Sequence, residues 1–264
     1  MKHIPRKRFG QNFLTDRHYI DSCIRAIHPA PADNLVEIGP GLGALTLPLL
    51  KILNRLRVVE IDRDIVARLE RDIPPEKIAI HSCDALKFDF GSLLPSPETG
   101  GEGKLRVVGN LPYNISTPLL FHLADFAANI RDCHFMLQKE VVERMVAEPA
   151  SPEYGRLSVM LQYRFAMEYL FTVPGGAFNP PPKVESAFVR MIPLAPLPHP
   201  AQDEELFGRI VAAAFAQRRK TLRNTLREFL SVEDFATLGI DPILRGETLG
   251  VEEFVRIANF CAGR

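Results

Sequence analysis

The stretch Leu35-Val36-Glu37-Ile38-Gly39-Pro40-Gly41-Leu42-Gly43 opens as a short β-forming apolar run and closes as a glycine turn. Glycines there allow a tight reversal and let a ligand approach backbone N–H groups near the start of a following helix. A helical pattern near 44–53 does follow, and the alternation repeats through Val58-Val59-Glu60-Ile61, a helix near 63–72 and Ile78-Ala79-Ile80. After a Gly/Pro-rich insertion at 91–103 come Leu105-Arg106-Val107-Val108, a helix near 116–128 and Cys133-His134-Phe135-Met136-Leu137. Short strands alternating with helices predict a parallel sheet covered on both faces. Met167 to Val173 and Ser186 to Ile192 add two more strands. The fold class is therefore α/β, a Rossmann-like, doubly wound sheet of seven strands.

Further outward, Pro193, Pro196, Pro198 and Pro200 stiffen residues 193–202 into a linker, since proline fixes φ and removes a donor. Beyond it Leu206, Phe207, Ile210, Val211, Ala214 and Phe215 recur at helical spacing. Leu222, Leu226, Phe229 and Leu230 continue an apolar face, and a last helix is predicted near 251–261. The expected organisation is an α/β ligand-binding domain at 1–192, the linker at 193–202 and a small all-helical domain at 203–264.

With 46% hydrophobic and 24% charged residues, the 264-residue chain has globular composition, which excludes a disordered or fibrous protein. No apolar run nears the ~18 residues of a membrane span, and Met1 to Arg8 lacks the apolar centre of a signal peptide. A soluble, cytoplasmic protein with no membrane partner is expected. Cys23, Cys83, Cys133 and Cys261 are too far apart for a zinc pair and read as buried thiols, and the histidines are equally dispersed, so no metal is expected. The net charge of zero conceals two basic blocks without an acid: Lys2, Arg6, Lys7 and Arg8, and Arg218, Arg219, Lys220, Arg223 and Arg227. Such blocks suit either a phosphate backbone or a solvated helix face.

Glu60 ends the strand after the glycine turn, 21 residues beyond Gly39, where a carboxylate can hydrogen-bond both ribose hydroxyls of an adenosine. Asp84, after the next strand, is placed to accept from the adenine amine. NAD and S-adenosylmethionine both present an adenosine, but the turn is not G-x-G-x-x-G and no residues suggest hydride chemistry. The balance falls to S-adenosylmethionine. Asn110-Leu111-Pro112-Tyr113, after the fourth strand, either simply ends that strand or serves methyl transfer to an adenine N6, whose lone pair is delocalised into the ring. The Asn110 side-chain oxygen and the Leu111 carbonyl can accept the N6 hydrogens and localise that lone pair. Pro112 fixes the turn, and Tyr113 can stack on the base. Acceptors of this kind are worth roughly 10²–10³ in rate per group.

Together with Phe9-Gly10-Gln11-Asn12-Phe13-Leu14, Asn114-Ile115-Ser116 and Phe178-Asn179-Pro180-Pro181-Pro182-Lys183-Val184-Glu185-Ser186, these motifs resemble the ribosomal RNA adenine dimethyltransferases. The resemblance spans nearly the whole chain, including Arg218-Arg219-Lys220-Thr221-Leu222-Arg223-Asn224. It is closer to the bacterial small-subunit branch than to the large-subunit branch that confers macrolide resistance. It implies dimethylation of N6 on two adjacent adenosines in the 3′-terminal hairpin loop of small-subunit ribosomal RNA, by a monomer that is also a late assembly factor on immature subunits. An unpaired loop suits this, because extruding an unpaired base costs less than opening a duplex.

Carried over by position, the resemblance implies cofactor contacts from Asn12, Leu14, Gly39, Glu60, Asp84 and Asn110, with Gln11 and Gly41 beside them. Glu37 either contacts the cofactor's amino group or orients the glycine turn. Phe178 would face Tyr113 across a flipped base, base–aromatic stacking being worth about 1–3 kcal/mol. Arg6, Lys7, Arg8, Arg218, Arg219, Lys220 and Arg223 would grip the RNA backbone. Plainer readings stand beside these: Thr15 or Asp16 as a helix N-cap, Asp62 and Asp64 as helix-start acids, and Phe178 as core. The rival functions are large-subunit methylation, an assembly factor whose binding role dominates, and DNA adenine methylation.

Overall fold

Branched aliphatic residues with little polar interruption build the central strands: Val36, Val58, Val107 and Val108 are all fully buried. Strands covered on both faces carry such runs, where a half-exposed strand would alternate. The structure, a computed structural model, describes residues 11–94 and 103–264. Its elements are β1 (Phe13–Leu14), α1 (Arg17–Ile27), β2 (Leu35–Ile38), α2 (Thr46–Leu50), β3 (Leu56–Glu60), α3 (Arg63–Asp72), β4 (Ile78–Ser82), β5 (Leu105–Asn110), α4 (Ser116–Ala124), β6 (Ile130–Gln138), α5 (Lys139–Val146) and α6 (Arg156–Gln162). β7 (Phe165–Val173), β8 (Phe178–Asn179), β9 (Ser186–Pro193), α7 (Glu204–Phe215), α8 (Leu222–Thr225), α9 (Val232–Leu238) and α10 (Val251–Ala262) complete the order.

Seven strands form one sheet in the order β4-β3-β2-β5-β6-β9-β7, and β1 pairs with β8 in a separate two-stranded ribbon. β2 to β6 run parallel, as expected. β9 does not: it lies antiparallel to β6. The chain reaches β9 from β7 without a crossover helix, the connection a parallel partner would require. Strand order reverses between β2 and β5, which in a doubly wound sheet opens a crevice beyond their C-terminal ends.

The chain divides into two compact units, Met1–Val142 with Met167–Pro193, and Glu143–Ala166 with Leu194–Arg264. The second unit thus takes in α6 besides the helices after the linker. In the first unit Leu35, Leu49, Leu56, Ile65, Leu69 and Phe188 belong to one buried cluster. In the second, Val159, Phe207, Ile210, Val211, Leu222, Phe254 and Ile257 form another. Caps place the helix starts: Asp62 Oδ1 accepts from the Asp64 N–H at 3.1 Å to begin α3, and Asp203 Oδ1 from the Leu206 N–H at 2.9 Å to begin α7. Cys23 and Cys133 are buried, but Cys83, just past β4, and Cys261, in the last turn of α10, are partly exposed, correcting the expectation of four buried thiols. No helix among the described residues is long and apolar enough to cross a membrane.

Candidate functional site

The glycine turn after β2 holds Gly39, Gly41 and Gly43 at φ of 68°, 53° and 90°, the left-handed region that side chains disfavour. It is closed by the Gly39 N–H donating to Val59 O (3.0 Å) and the Gly43 N–H to Pro40 O (2.9 Å). A methyl group on Gly41 would lie 3.0 Å from the Phe13 ring, so the segment 11–14 packs directly on the turn. That segment is held from three sides. Gln11 Nε2 donates to Asp62 Oδ2 at 3.1 Å, so Asp62 anchors it as well as capping α3. Phe13 and Leu14 pair with Asn179 and Phe178. The Thr15 and Asp16 N–H groups both donate to Ala177 O, after which Asp16 caps α1.

Beside the turn, two carboxylates are buried at strand ends. Glu37 is only 2% exposed, and burial pushes its carboxyl up to about 7; the Thr46 hydroxyl, donating at 2.6 Å, opposes the shift and the Glu60 charge adds to it. The Thr46 bond also ties β2 to α2, the helix that follows the turn. Glu60 is raised by burial too, against N–H groups of Asp62 (2.8 Å), Ile61 and Gly41 that favour its charged form. Asp84 holds its carboxylate at the end of β4 by accepting from the Leu86 N–H at 3.0 Å, an Asx turn.

Across the switch point, β5 runs to Asn110. Gly109 is required there: a Cβ would sit 2.5 Å from Ile38 O, so the ends of β2 and β5 approach too closely for any side chain. Asn110 Nδ2 donates to Asn12 O at 2.9 Å. The opposite amide orientation would set two oxygens against each other, so this bond commits the other branch of the amide, Oδ1, to act as acceptor. The Leu111 N–H donates to Met136 O (3.1 Å) and the Ile115 N–H to Pro112 O (3.2 Å), which fixes the turn carrying Tyr113. Burial raises the Tyr113 phenol above its ordinary range, while a hydrogen bond to Ser186 acts the other way.

These features line one cavity of about 200 Å³ that opens to solvent. Gln11, Asn12, Leu14, Glu37, Gly39, Gly41, Glu60, Asp84, Asn110, Leu111, Pro112 and Tyr113 all line it. Phe178 does not. Its ring is 3% exposed within the core of the first unit, and its backbone braces Leu14. Arg218, Arg219, Lys220 and Arg223 are exposed in the second unit. They do not share one helix face: the first three lie in turns after α7, and Arg223 is on α8. Arg218 pairs with Glu247 at 3.3 Å. Arg6, Lys7 and Arg8 lie outside the described residues.

Sequence reasoning missed Ile61, which lines the cavity while 48% exposed. A signal was present, since an apolar side chain between the strand-end Glu60 and the capping Asp62 has no core to enter. Two strand-end carboxylates, the main chain of a glycine turn and the walls Ile38, Leu42, Ile61 and Leu86 make a donor set and shape that fit an adenosine-bearing cofactor.

Residues 2–263 match the family model described as ribosomal RNA adenine dimethylase. Ribosomal RNA small subunit methyltransferase A of Methylobacillus flagellatus is 63% identical over 262 residues, 99% of this chain and 100% of that protein. The protein of the same name from Laribacter hongkongensis is 63% identical over 258 residues, covering 98% and 96%. Among solved structures, a dimethyladenosine transferase from Plasmodium falciparum superposes with a TM-score of 0.76 at 23% identity, covering 93% of this chain and 95% of that one.

Proposed function

Since this chain belongs to the ribosomal RNA adenine dimethylase family, we propose that it dimethylates N6 of two adjacent adenosines in the 3′-terminal hairpin loop of small-subunit ribosomal RNA. It is an S-adenosylmethionine-dependent methyltransferase, and the bound cofactor supplies an electrophilic methyl group. Glu60 holds the ribose hydroxyls, Asp84 the adenine amine and Ile61 covers an adenine face. The main chain of the glycine turn receives the polar tail, and the segment Gln11 to Leu14 closes over it. Asn110 Oδ1 and the Leu111 carbonyl accept the N6 hydrogens of the target base and draw its lone pair out of the ring. Pro112 fixes the turn, and Tyr113 stacks on the base. No side chain has to act as a base, because the proton leaves readily to water once the nitrogen carries positive charge.

The observation that carries this reading is the Asn110 Nδ2 bond to Asn12 O, which sets the amide before any substrate arrives. Pre-set acceptors need no reorganisation when charge develops. The test is transfer of labelled methyl from S-adenosylmethionine to unmethylated small subunits, with large subunits and duplex DNA as controls. Label recovered as dimethyladenosine in small-subunit RNA alone is expected; label in either control instead would overturn the substrate assignment.

The partner in this reading is RNA within an immature small subunit, met in the cytoplasm by a monomer. Exposed Arg219, Lys220 and Arg223 make phosphate contacts, so the triple change to Glu should weaken RNA binding at least roughly tenfold at moderate salt and leave cofactor affinity intact. Unchanged RNA affinity would remove these residues from the interface. The assembly role has its own test: an inactive Asn110→Ala protein should still bind immature subunits and retard their maturation.

A further inference from the structure

A hydrogen bond between hydroxyls joins Tyr113 of the cavity to a residue outside its lining. Tyr113 Oη lies 2.7 Å from Ser186 Oγ, with either hydroxyl able to donate. Ser186 is fully buried and is the first residue of β9, in register with Gln138 of β6. Its neighbour Glu185 is pinned as well: its carbonyl accepts from the Lys139 N–H at 3.0 Å, and its carboxylate pairs with Lys139 Nζ at 2.9 Å. Ser186 is therefore mounted on a fixed part of the sheet and cannot follow the ring if the ring moves.

At its near end Tyr113 is held by the turn, its carbonyl accepting from Ser116 Oγ at 3.1 Å. That fixes the backbone and leaves the two side-chain torsions. We propose that Ser186 is a positioning residue: by holding the Tyr113 hydroxyl it locks the ring plane against which the target adenine stacks, so that the base arrives with N6 at the Asn110 and Leu111 acceptors. This inference rests on the reading of Tyr113 as the stacking residue. The ring lies at the far end of its own side chain, and a swing there would misdirect a base that has to be aligned with reacting atoms only ~3–3.5 Å apart. Ser186 touches neither substrate nor cofactor in this scheme, and its effect passes through Tyr113.

The experiment is a double-mutant cycle on the full-length protein with unmethylated small subunits, reading kcat, the KM for each substrate and the thermal midpoint. Ser186→Ala and Tyr113→Phe should each lower kcat roughly three- to tenfold, the range of one neutral hydrogen bond. Cofactor KM should stay within about twofold, and the double variant should be no slower than either single one. A purely structural role would lower the thermal midpoint without that non-additivity. The inference is overturned if the double variant falls to the product of the singles, if Ser186→Ala is slow while Tyr113→Phe is not, or if both work at the wild-type rate. Should Ser186→Ala fail to fold, Tyr113→Phe breaks the same bond from the cavity side, and a wild-type rate for it overturns the inference alone. Tyr113→Ala separates the two readings. If it is nearly inactive while the hydroxyl variants are normal, stacking stands and the Ser186 lock fails; if it is fully active, stacking itself fails.

Discussion

At the N-terminal end of β5 the buried Arg106 guanidinium meets acceptors on every side, whereas at the C-terminal ends of β2 and β3 the buried carboxylates of Glu37 and Glu60 face a cavity. Arg106 Nε donates to both Asp132 oxygens at 3.0 and 3.1 Å, Nη1 to Asp33 at 2.5 Å, and Nη2 to Ile27 O at the end of α1 at 2.6 Å. Burial works to lower the Arg106 pKa, and the two aspartates outweigh it and raise it. Burial works to raise Asp132 too, and its neighbours His134 and Arg106 together hold it below the ordinary range. At the other end the balance is reversed: burial wins and both glutamates are raised. The same sheet thus pairs its buried charge at one end and, at the other, sets two carboxylates whose charged form burial disfavours against a cavity.

That contrast is broken most severely by removing the saturated cation. Arg106→Ala leaves Asp33 and Asp132 buried without their partner and should destabilise the fold by about 3–5 kcal/mol, as measured by equilibrium urea denaturation. A wild-type midpoint would mean that the N-terminal edge is not the anchor its geometry suggests. Next in size is Asn110→Ala at the opposite end of the same strand. It should cut kcat roughly 10²–10³-fold, or about 3–4 kcal/mol in the barrier. The melting midpoint should barely change, because Asn12 O at the cavity rim can be rehydrated, and cofactor affinity should fall far less than turnover. Activity surviving within a few-fold would end the proposed role of the tetrapeptide.

Both ends of the sheet are legible in the sequence only as far as their signals are local. α3 spans residues 63–72, the range its pattern predicts, because its cap Asp62 and its apolar positions Ile65, Val66 and Leu69 all lie within one short segment. The glycine turn and the acids after successive strands are likewise written in consecutive residues, and Gly39, Glu60, Asp84 and Asn110 do meet in one cavity. β9 is readable as a strand but its direction is not, since strand direction leaves no mark on composition. β1 and β8, of two residues each, are too short to show a period, so the bracing of Leu14 by Phe178 is invisible in the pattern. The same ring, read from its motif as a stacking partner, is buried with Leu14 in this structure. Tyr113 and Ser186 are 73 residues apart, and only the fold brings their hydroxyls together.

The smallest expected effect sharpens the comparison at Glu37 itself. Its carboxyl is pushed up to about 7 in the folded protein by burial, against about 4.3 for an unperturbed glutamate. Between those values the native state binds a proton that the unfolded chain does not, so stability from this group falls as pH rises through the window and the loss is complete above pH 7. The loss is at most about 1.4 kcal/mol for each pH unit crossed. Glu37→Gln keeps an oxygen to accept from Thr46 Oγ1 but has no proton to lose. The difference in unfolding free energy between wild type and Glu37→Gln should therefore change steadily from pH 4.5 to 7.5, with wild type losing ground. A flat difference would mean that Glu37 is as well satisfied in the fold as Asp132 is, and the two ends of the sheet would then differ in shape but not in charge.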